Sequence, residues 1–106
     1  MEQSKLKKIC GLTIKDAELT LGDLGISFSD GTSLAIYNMV NLVGFTMNDA
    51  SMISGKAVVD VIESEHKITI ILKTNLAIEI DMNDEAYNGP EAIQLRVPGE
   101  PIVIWN

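Results

Sequence analysis

The sequence predicts an all-β protein, an antiparallel sheet of consecutive hairpins that forms a small sandwich or half-barrel with an internal strand-plus-hairpin duplication. Three observations support this prediction. Apolar residues alternate with polar or small residues at a period of two in several short stretches. Turn residues separate pairs of such stretches, and a similar arrangement returns 44 residues later. With 106 residues, 46% of them hydrophobic, the chain is long enough to bury one core.

The first hairpin is predicted on either side of Ser29-Asp30-Gly31. With these three residues as the loop, Ile26 faces Leu34 and the apolar residues of both strands lie on one face. Gly31 supplies the left-handed conformation that such a loop needs. Phe28 then belongs to the core.

The second hairpin repeats this pattern around Lys73-Thr74-Asn75. Ile70 then faces Ile78, and asparagine tolerates the left-handed position better than most residues do. Upstream, residues 11–16 align without gaps with residues 55–60. The alignment indicates that a strand followed by a hairpin has been duplicated.

These elements define a single β domain with two repeat-like halves and a terminal hairpin. The boundaries are 1–106 for the domain, 9–38 and 53–82 for the halves, and 91–105 for the hairpin. Between the halves, residues 38–54 predict a strand followed by a loop. Residues 83–90 predict a loop with room for one helical turn.

The C-terminal hairpin is predicted from two apolar stretches separated by Pro98-Gly99. If this dipeptide forms the bend, Leu95 pairs with Ile102. Pro-Gly also favours a type II turn, which permits a looser loop. Trp105 ends the returning strand and is expected to anchor the packing there.

The charge of the chain excludes some classes of partner. Eight Lys and Arg stand against 15 Asp and Glu, which gives a formal charge of −7. So acidic a protein repels phosphate backbones, and we expect no nucleic-acid partner. It favours encounter with basic proteins, although the same charge also simply confers solubility. No apolar run is long enough to span a membrane and no secretion signal is recognisable, so a cytoplasmic location is expected.

The sequence offers little for catalysis or for a cofactor. Cys10 lies in an apolar stretch, and nothing connects it with His66, the one histidine. No phosphate-binding glycine loop, nucleophile elbow or metal-spaced Cys and His set is present. Paired carboxylates of a glycosidase normally need a concave pocket, and Asp30 with Asp84 and Glu85 does not match a calcium loop. We expect no enzyme activity, no cofactor and no metal.

Carboxylates are the one abundant chemical group, and the second hairpin gathers them. Its register places Lys67 opposite Asp81 and brings Glu65 near Asn83. A compact negative patch with an aromatic residue beside it suits a basic cleft on another protein. Alternatively, these acids form a solvated strand edge that deters aggregation. The predicted partner-binding residues are Glu63, Glu65, Asp81, Asp84, Glu85, Tyr87 and Tyr37, the last placed opposite Asp23.

The chain resembles the small bacterial immunity proteins encoded beside contact-dependent growth-inhibition toxins. The resemblance rests on the duplicated strand and hairpin, which begin at Gly11 and Gly55, and on the tail residues 89–92 and 98–105. The same tail also looks like that of other short bacterial β proteins. Members of such families bind one cognate toxin and block its active site or an essential surface. Their interfaces differ between pairs, so the resemblance transfers no functional residue.

The resemblance and the charge together imply a bacterial immunity protein that neutralises a cognate toxin domain by protein–protein occlusion. The acidic body suits a toxin nuclease, such as a ribonuclease, with a basic active-site cleft. We expect the protein to be a monomer when free and to bind the toxin 1:1, without nucleic acid or membrane. The alternative is a small β interaction or regulatory module that self-associates through an exposed strand edge.

Overall fold

The computed structural model describes residues 5–20 and 23–106, and in them nine strands form two antiparallel sheets. This confirms the predicted fold class. The strands are β1 (Ile14–Thr20), β2 (Asp23–Phe28), β3 (Ser33–Ile36), β4 (Val40–Val43), β5 (Val58–Glu63), β6 (Lys67–Leu72), β7 (Leu76–Asp81), β8 (Ile93–Arg96) and β9 (Val103–Trp105). Short 3₁₀ helices at Lys5–Ile9, Met47–Ile53, Lys73–Asn75 and Asp84–Ala86 complete the described elements.

The two sheets exchange one strand each. The first sheet has the order β1-β2-β3-β8-β9, and the second has the order β4-β7-β6-β5. Strand β4 follows the first hairpin in sequence but pairs with β7 of the second, and β8 follows the second hairpin but pairs with β3 of the first. Each half of the chain therefore completes the sheet of the other half.

Both central hairpins have the predicted registers. Ile26 pairs with Leu34, and Ile70 pairs with Ile78. All four side chains are at most 2% exposed, because alternate residues of each strand face the other sheet. In the loops, Gly31 has a φ of 95°, while the second loop places two residues in the left-handed region instead of one.

The internal duplication is visible in the backbone hydrogen bonds. The N–H of Gly11 donates to the carbonyl of Val58 (2.8 Å), and 44 residues on, the N–H of Gly55 donates to the carbonyl of Ile14 (2.7 Å). Strands β1 and β5 each carry a bulge at the same place, after Ile14 and after Val58. Between the two bulges, Thr13 forms a bridge with Ala57. The two halves are thus related by a pseudo-twofold axis that passes between Thr13 and Ala57.

The C-terminal hairpin corrects one predicted register. Leu95 pairs with Val103, not with Ile102. The reason is the turn: Glu100 N–H donates to the Val97 carbonyl (3.0 Å) and Gly99 has a φ of 80°, as in a type II turn. The loop is one residue longer than a two-residue bend, so the returning strand shifts by one position.

The core lies between the two sheets. Phe28 is buried, as predicted, and Trp105 and Cys10 are half-buried and pack against the core. Loop 38–54 contains the predicted strand, and one helical turn falls in loop 83–90. The described residues include no helix with the length and apolar character that membrane crossing requires.

Candidate protein-binding surface

The pseudo-twofold axis gives the molecule two distinct ends. At one end Thr13 meets Ala57, and at the other Asn38 meets Met82, again 44 residues apart, with the Asn38 Nδ2 3.8 Å from the Met82 Sδ. Asn38 also donates to the backbone carbonyl of Asp81 (2.9 Å), and Asp81 N–H donates to the carbonyl of Met39 (3.0 Å). The chain crosses from the first sheet to the second here, so the strand ends of both sheets meet at this end.

Three of the predicted carboxylates come together at the Asn38 end. Hydrogen bonds hold the turn between β5 and β6, where Ser64 N–H donates to the carbonyl of Lys67 (2.8 Å). Met82 N–H donates to the carbonyl of His66 (2.9 Å), which fixes the turn beside the loop after β7. The groove between them has a volume of about 330 Å³. It is lined by Glu65, His66, Met82, Asn83, Asp84 and Glu85.

Asp81 and Glu79 lie on the outer face of β7 and are held by neighbouring amides. The Oδ1 of Asp81 accepts hydrogen bonds from the backbone N–H (2.9 Å) and the Nδ2 (2.8 Å) of Asn83. The Oε1 of Glu79 accepts one from Asn41 Nδ2 (2.8 Å), and its Oε2 lies 3.4 Å from Lys67 Nζ. The hydrogen bond from Asn41 and the charge of Lys67 lower the pKa of Glu79. Both contacts favour the ionised form of the Glu79 carboxyl.

Lys67 lies opposite Asp81 in the register, as predicted, but its ammonium group pairs with Glu79. Glu63 ends β5 at the same end of the molecule and is exposed. Glu65 is exposed as well, and its Oε1 lies 3.9 Å from His66 Nε2. All five predicted carboxylates thus lie at the Asn38 end.

The two predicted tyrosines occupy different settings. Tyr87 is half-buried and packs against the core, so only part of its ring is free to contact a partner. Tyr37 lines a groove of about 270 Å³ together with Asp23 and Glu91. The Nδ2 of Asn88 donates to the Tyr37 carbonyl (2.7 Å) and fixes the loop over this groove.

The structure adds residues that the sequence reasoning missed. A second groove at this end, of about 470 Å³, is lined by Met39, Val40, Asn41, His66, Lys67, Glu79, Asp81 and Asn83. Met39 is 60% exposed and gives this groove an apolar wall. Its position could not be read from the sequence, because the pairing of β4 with β7 depends on the strand exchange between sheets. The alternation of Glu79 with buried neighbours did signal an outward carboxylate.

Charge is strongly separated between the two ends. Of the 14 acidic residues in the described part of the chain, eight lie at the Asn38 end, which we call the acidic end. They are Asp23, Glu63, Glu65, Glu79, Asp81, Asp84, Glu85 and Glu91. Lys67 is the one Lys or Arg there. The other seven basic residues lie toward the Thr13 end, where Lys7 pairs with Asp60 (2.9 Å) and Lys8 with Glu100.

The chemistry of this arrangement is complementary to cationic side chains. Four of these eight carboxylates are exposed and four are half-buried, and they are spread over strand ends and loops. They therefore suit several separate Lys or Arg side chains. Among the described residues, no three His, Cys, Asp or Glu side chains are placed to hold one metal ion. No protein-family model, curated protein or solved structure matches the chain.

Proposed function

We propose that this protein is a bacterial immunity protein, which neutralises a cognate toxin by covering the toxin's basic active-site cleft. The observation that supports the proposal is the concentration of eight carboxylates and a single lysine at the acidic end. A nuclease cleft is lined by Lys and Arg that hold the phosphates of its substrate. Carboxylates on a rigid protein surface compete for the same side chains.

In the proposed complex, Glu63, Glu65, Asp81, Asp84 and Glu85 pair with cationic residues of the toxin. Tyr37 and the free edge of Tyr87 add apolar contact. The protein acts in the cytoplasm, is a monomer when free and binds one toxin molecule. It contributes no catalytic step, because inhibition requires only that the cleft is occupied.

The direct test is calorimetric titration with the catalytically inactivated C-terminal domain of the protein encoded immediately upstream. We expect tight 1:1 binding that weakens as salt is raised, because salt screens exposed charge pairs. Tight binding that is indifferent to salt would keep the immunity function and discard the acidic mechanism. Absence of heat with a folded partner domain would contradict the proposal.

A charge-reversal pair locates the interface. The double variant Asp84→Lys, Glu85→Lys should bind about tenfold to a hundredfold more weakly, because two attractive pairs become repulsive. The matched control is Asp49→Lys, Glu100→Lys, which changes the net charge equally but at exposed sites away from the acidic end. Equal losses in both variants would show that net charge, and not this surface, determines binding.

A further inference from the structure

The two halves of the chain differ in the outward-facing surface of their sheets. Residues 44 positions apart occupy equivalent places in the first and second sheets. At four of these places a polar or charged residue in the first sheet corresponds to an apolar residue in the second. The pairs are Lys15 and Val59, Glu18 and Ile62, Ser27 and Ile71, and Ser33 and Ala77.

The apolar residues of the second sheet lie next to one another, interrupted on β5 by Asp60, which pairs with Ile71. In the strand registers, Ile71 of β6 pairs with Ala77 of β7, which pairs with Val43 of β4. Ile62 of β5 pairs with Thr69, so it lies diagonally beside Ile71. Together with Val59, these residues form what we call the apolar face. Val59 is 55% exposed, Ile62 52% and Val43 39%.

Folding alone does not account for the apolar face. The first sheet has the same bulge and the same hairpin register with Glu18, Ser27 and Ser33 at the equivalent places. The architecture therefore forms with a polar outer surface. Exposed apolar residues that are contiguous commonly mark an interaction site.

Charge argues against a second copy of this chain as the occupant. Glu79 lies on the same outer surface, two residues from Ala77, and Glu63 and Asp81 border it at the acidic end. A symmetric dimer through this face would bring the same acidic border of both chains into one interface. With a net charge of −7 on each chain, that contact is repulsive. A partner with a basic rim is attracted instead.

The area of the face also argues for a partner that reaches beyond it. The whole outer surface of the sheet, with four strands about 4.8 Å apart and about 20 Å long, covers roughly 300 Å², and the apolar face is a part of it. A stable protein interface buries about 800 Å² on each partner. The apolar face is too small alone, but it adjoins the acidic end and extends that surface.

From these observations we propose that the apolar face is the hydrophobic centre of the toxin interface, covered by an apolar patch that borders the toxin's basic cleft. This inference rests on the proposed function and adds a second class of contact to it. The charged rim then steers the encounter, and the apolar centre slows dissociation.

The test replaces two outward-facing isoleucines, the exposed Ile62 and the half-buried Ile71, with threonine, which keeps the β-branched shape and the strand propensity. The variant Ile62→Thr, Ile71→Thr should bind the inactivated toxin domain about tenfold to a hundredfold more weakly, with the salt dependence of the wild type. The matched control is Ile102→Thr, Ile104→Thr at the edge of the first sheet, where these residues are 45% and 43% exposed. The control should bind as the wild type does.

The outcomes separate this inference from the proposed function. If the wild type binds and the Ile62→Thr, Ile71→Thr variant binds equally, the apolar face is not the interface and the immunity function stands. If the wild type does not bind, both fail. If sedimentation shows a wild-type dimer that the same variant dissociates, the occupant is a second copy and the inference is wrong. Val59→Thr, on the exposed bulge, provides a milder substitution should the double variant unfold.

Discussion

Asp16 and Asp60 show how one residue acts at equivalent places in the two halves. Each lies in the bulge of its strand and accepts a hydrogen bond from the next backbone N–H, that of Ala17 (2.9 Å) or Val61 (2.8 Å). Asp60 alone also receives Lys7 Nζ, at 2.9 Å. The lysine, and then the Val61 N–H, lower the pKa of Asp60, and Asp60 raises the pKa of Lys7.

We predict that Asp60→Asn lowers the melting temperature at pH 7 more than Asp16→Asn does. Both asparagines keep a side-chain oxygen that accepts the backbone N–H. The difference between the two melting temperatures therefore measures the ion pair between Lys7 and Asp60. A carboxyl whose pKa is lowered on folding stabilises the protein at every pH above the pKa of the unfolded state, which is about 4 for Asp. This contribution is lost as the pH falls through the pKa of the folded state.

The difference in melting temperature between the two variants should therefore disappear at acidic pH and become smaller at high salt. Thermal melts of wild type, Asp60→Asn and Asp16→Asn at several pH values measure it. Equal losses at pH 7 would show that the ion pair does not stabilise the fold.

Among the connecting elements, the turn after β4 is the most constrained. Gly44 has a φ of 89°, and a Cβ at this position would lie 2.6 Å from Leu76 Cδ2 and 3.4 Å from the Asn75 carbonyl oxygen. Gly99 has a similar φ of 80° but open space around it. Alanine at Gly99 would introduce backbone strain alone, whereas alanine at Gly44 would introduce backbone strain and steric overlap.

We predict that Gly44→Ala destabilises the protein more than Gly99→Ala. Both substitutions incur the left-handed cost of about 1–2 kcal/mol. Gly44→Ala adds about 1–3 kcal/mol for displacing Leu76 from its place at the core. Urea unfolding of both variants measures the difference, and equal midpoints would contradict a close contact in this turn.

The elements also show what the sequence can and cannot predict. The registers of the two central hairpins follow from strict alternation, since a shift by one residue would expose Ile26 and Leu34. The sequence left two registers open for the C-terminal hairpin, because residues 102–105 are all apolar and alternation fits both registers. Alternation specifies a register only where the two faces of a strand differ.

Some residues of the candidate surface can likewise be placed from the sequence, and others cannot. The position of Glu65 beside Asn83 follows from the hairpin register. Met39, and Val43 of the apolar face, depend on the pairing of β4 with β7 in the other sheet, and no local pattern identifies the partner of an exchanged strand. A long-range pairing of this kind is decided by the packing of both sheets together.

At the scale of the whole molecule, the separation of charge between the two ends has more effect on the approach of a partner than the net charge has. The longest dimension is about 31 Å, whereas exposed charges in physiological salt are screened over about 8 Å. The basic residues near Thr13 are therefore several screening lengths from the acidic end. A partner approaching the acidic end responds to the local carboxylates and hardly to the rest.

We therefore predict that two pairs of substitutions with equal and opposite changes of net charge have unequal effects on the association rate. Lys15→Gln, Lys73→Gln takes the net charge from −7 to −9, and both lysines are exposed near the Thr13 end. Asp84→Asn, Glu85→Gln takes it from −7 to −5 at the acidic end. If net charge governed encounter, the first pair would accelerate association as much as the second slows it.

The local field predicts instead that the Lys15 and Lys73 pair leaves the rate nearly unchanged in physiological salt, while the Asp84 and Glu85 pair slows it about threefold to tenfold. Stopped-flow mixing with the inactivated toxin domain measures both rates. At low salt the Lys15 and Lys73 variant should begin to associate faster than the wild type. The screening length then grows to about 30 Å at 0.01 M, which is the size of the molecule. The contrary outcome is that, in physiological salt, the Lys15 and Lys73 variant associates faster by as much as the Asp84 and Glu85 variant associates more slowly. The net charge of the protein, and not the acidic end, would then determine the association rate.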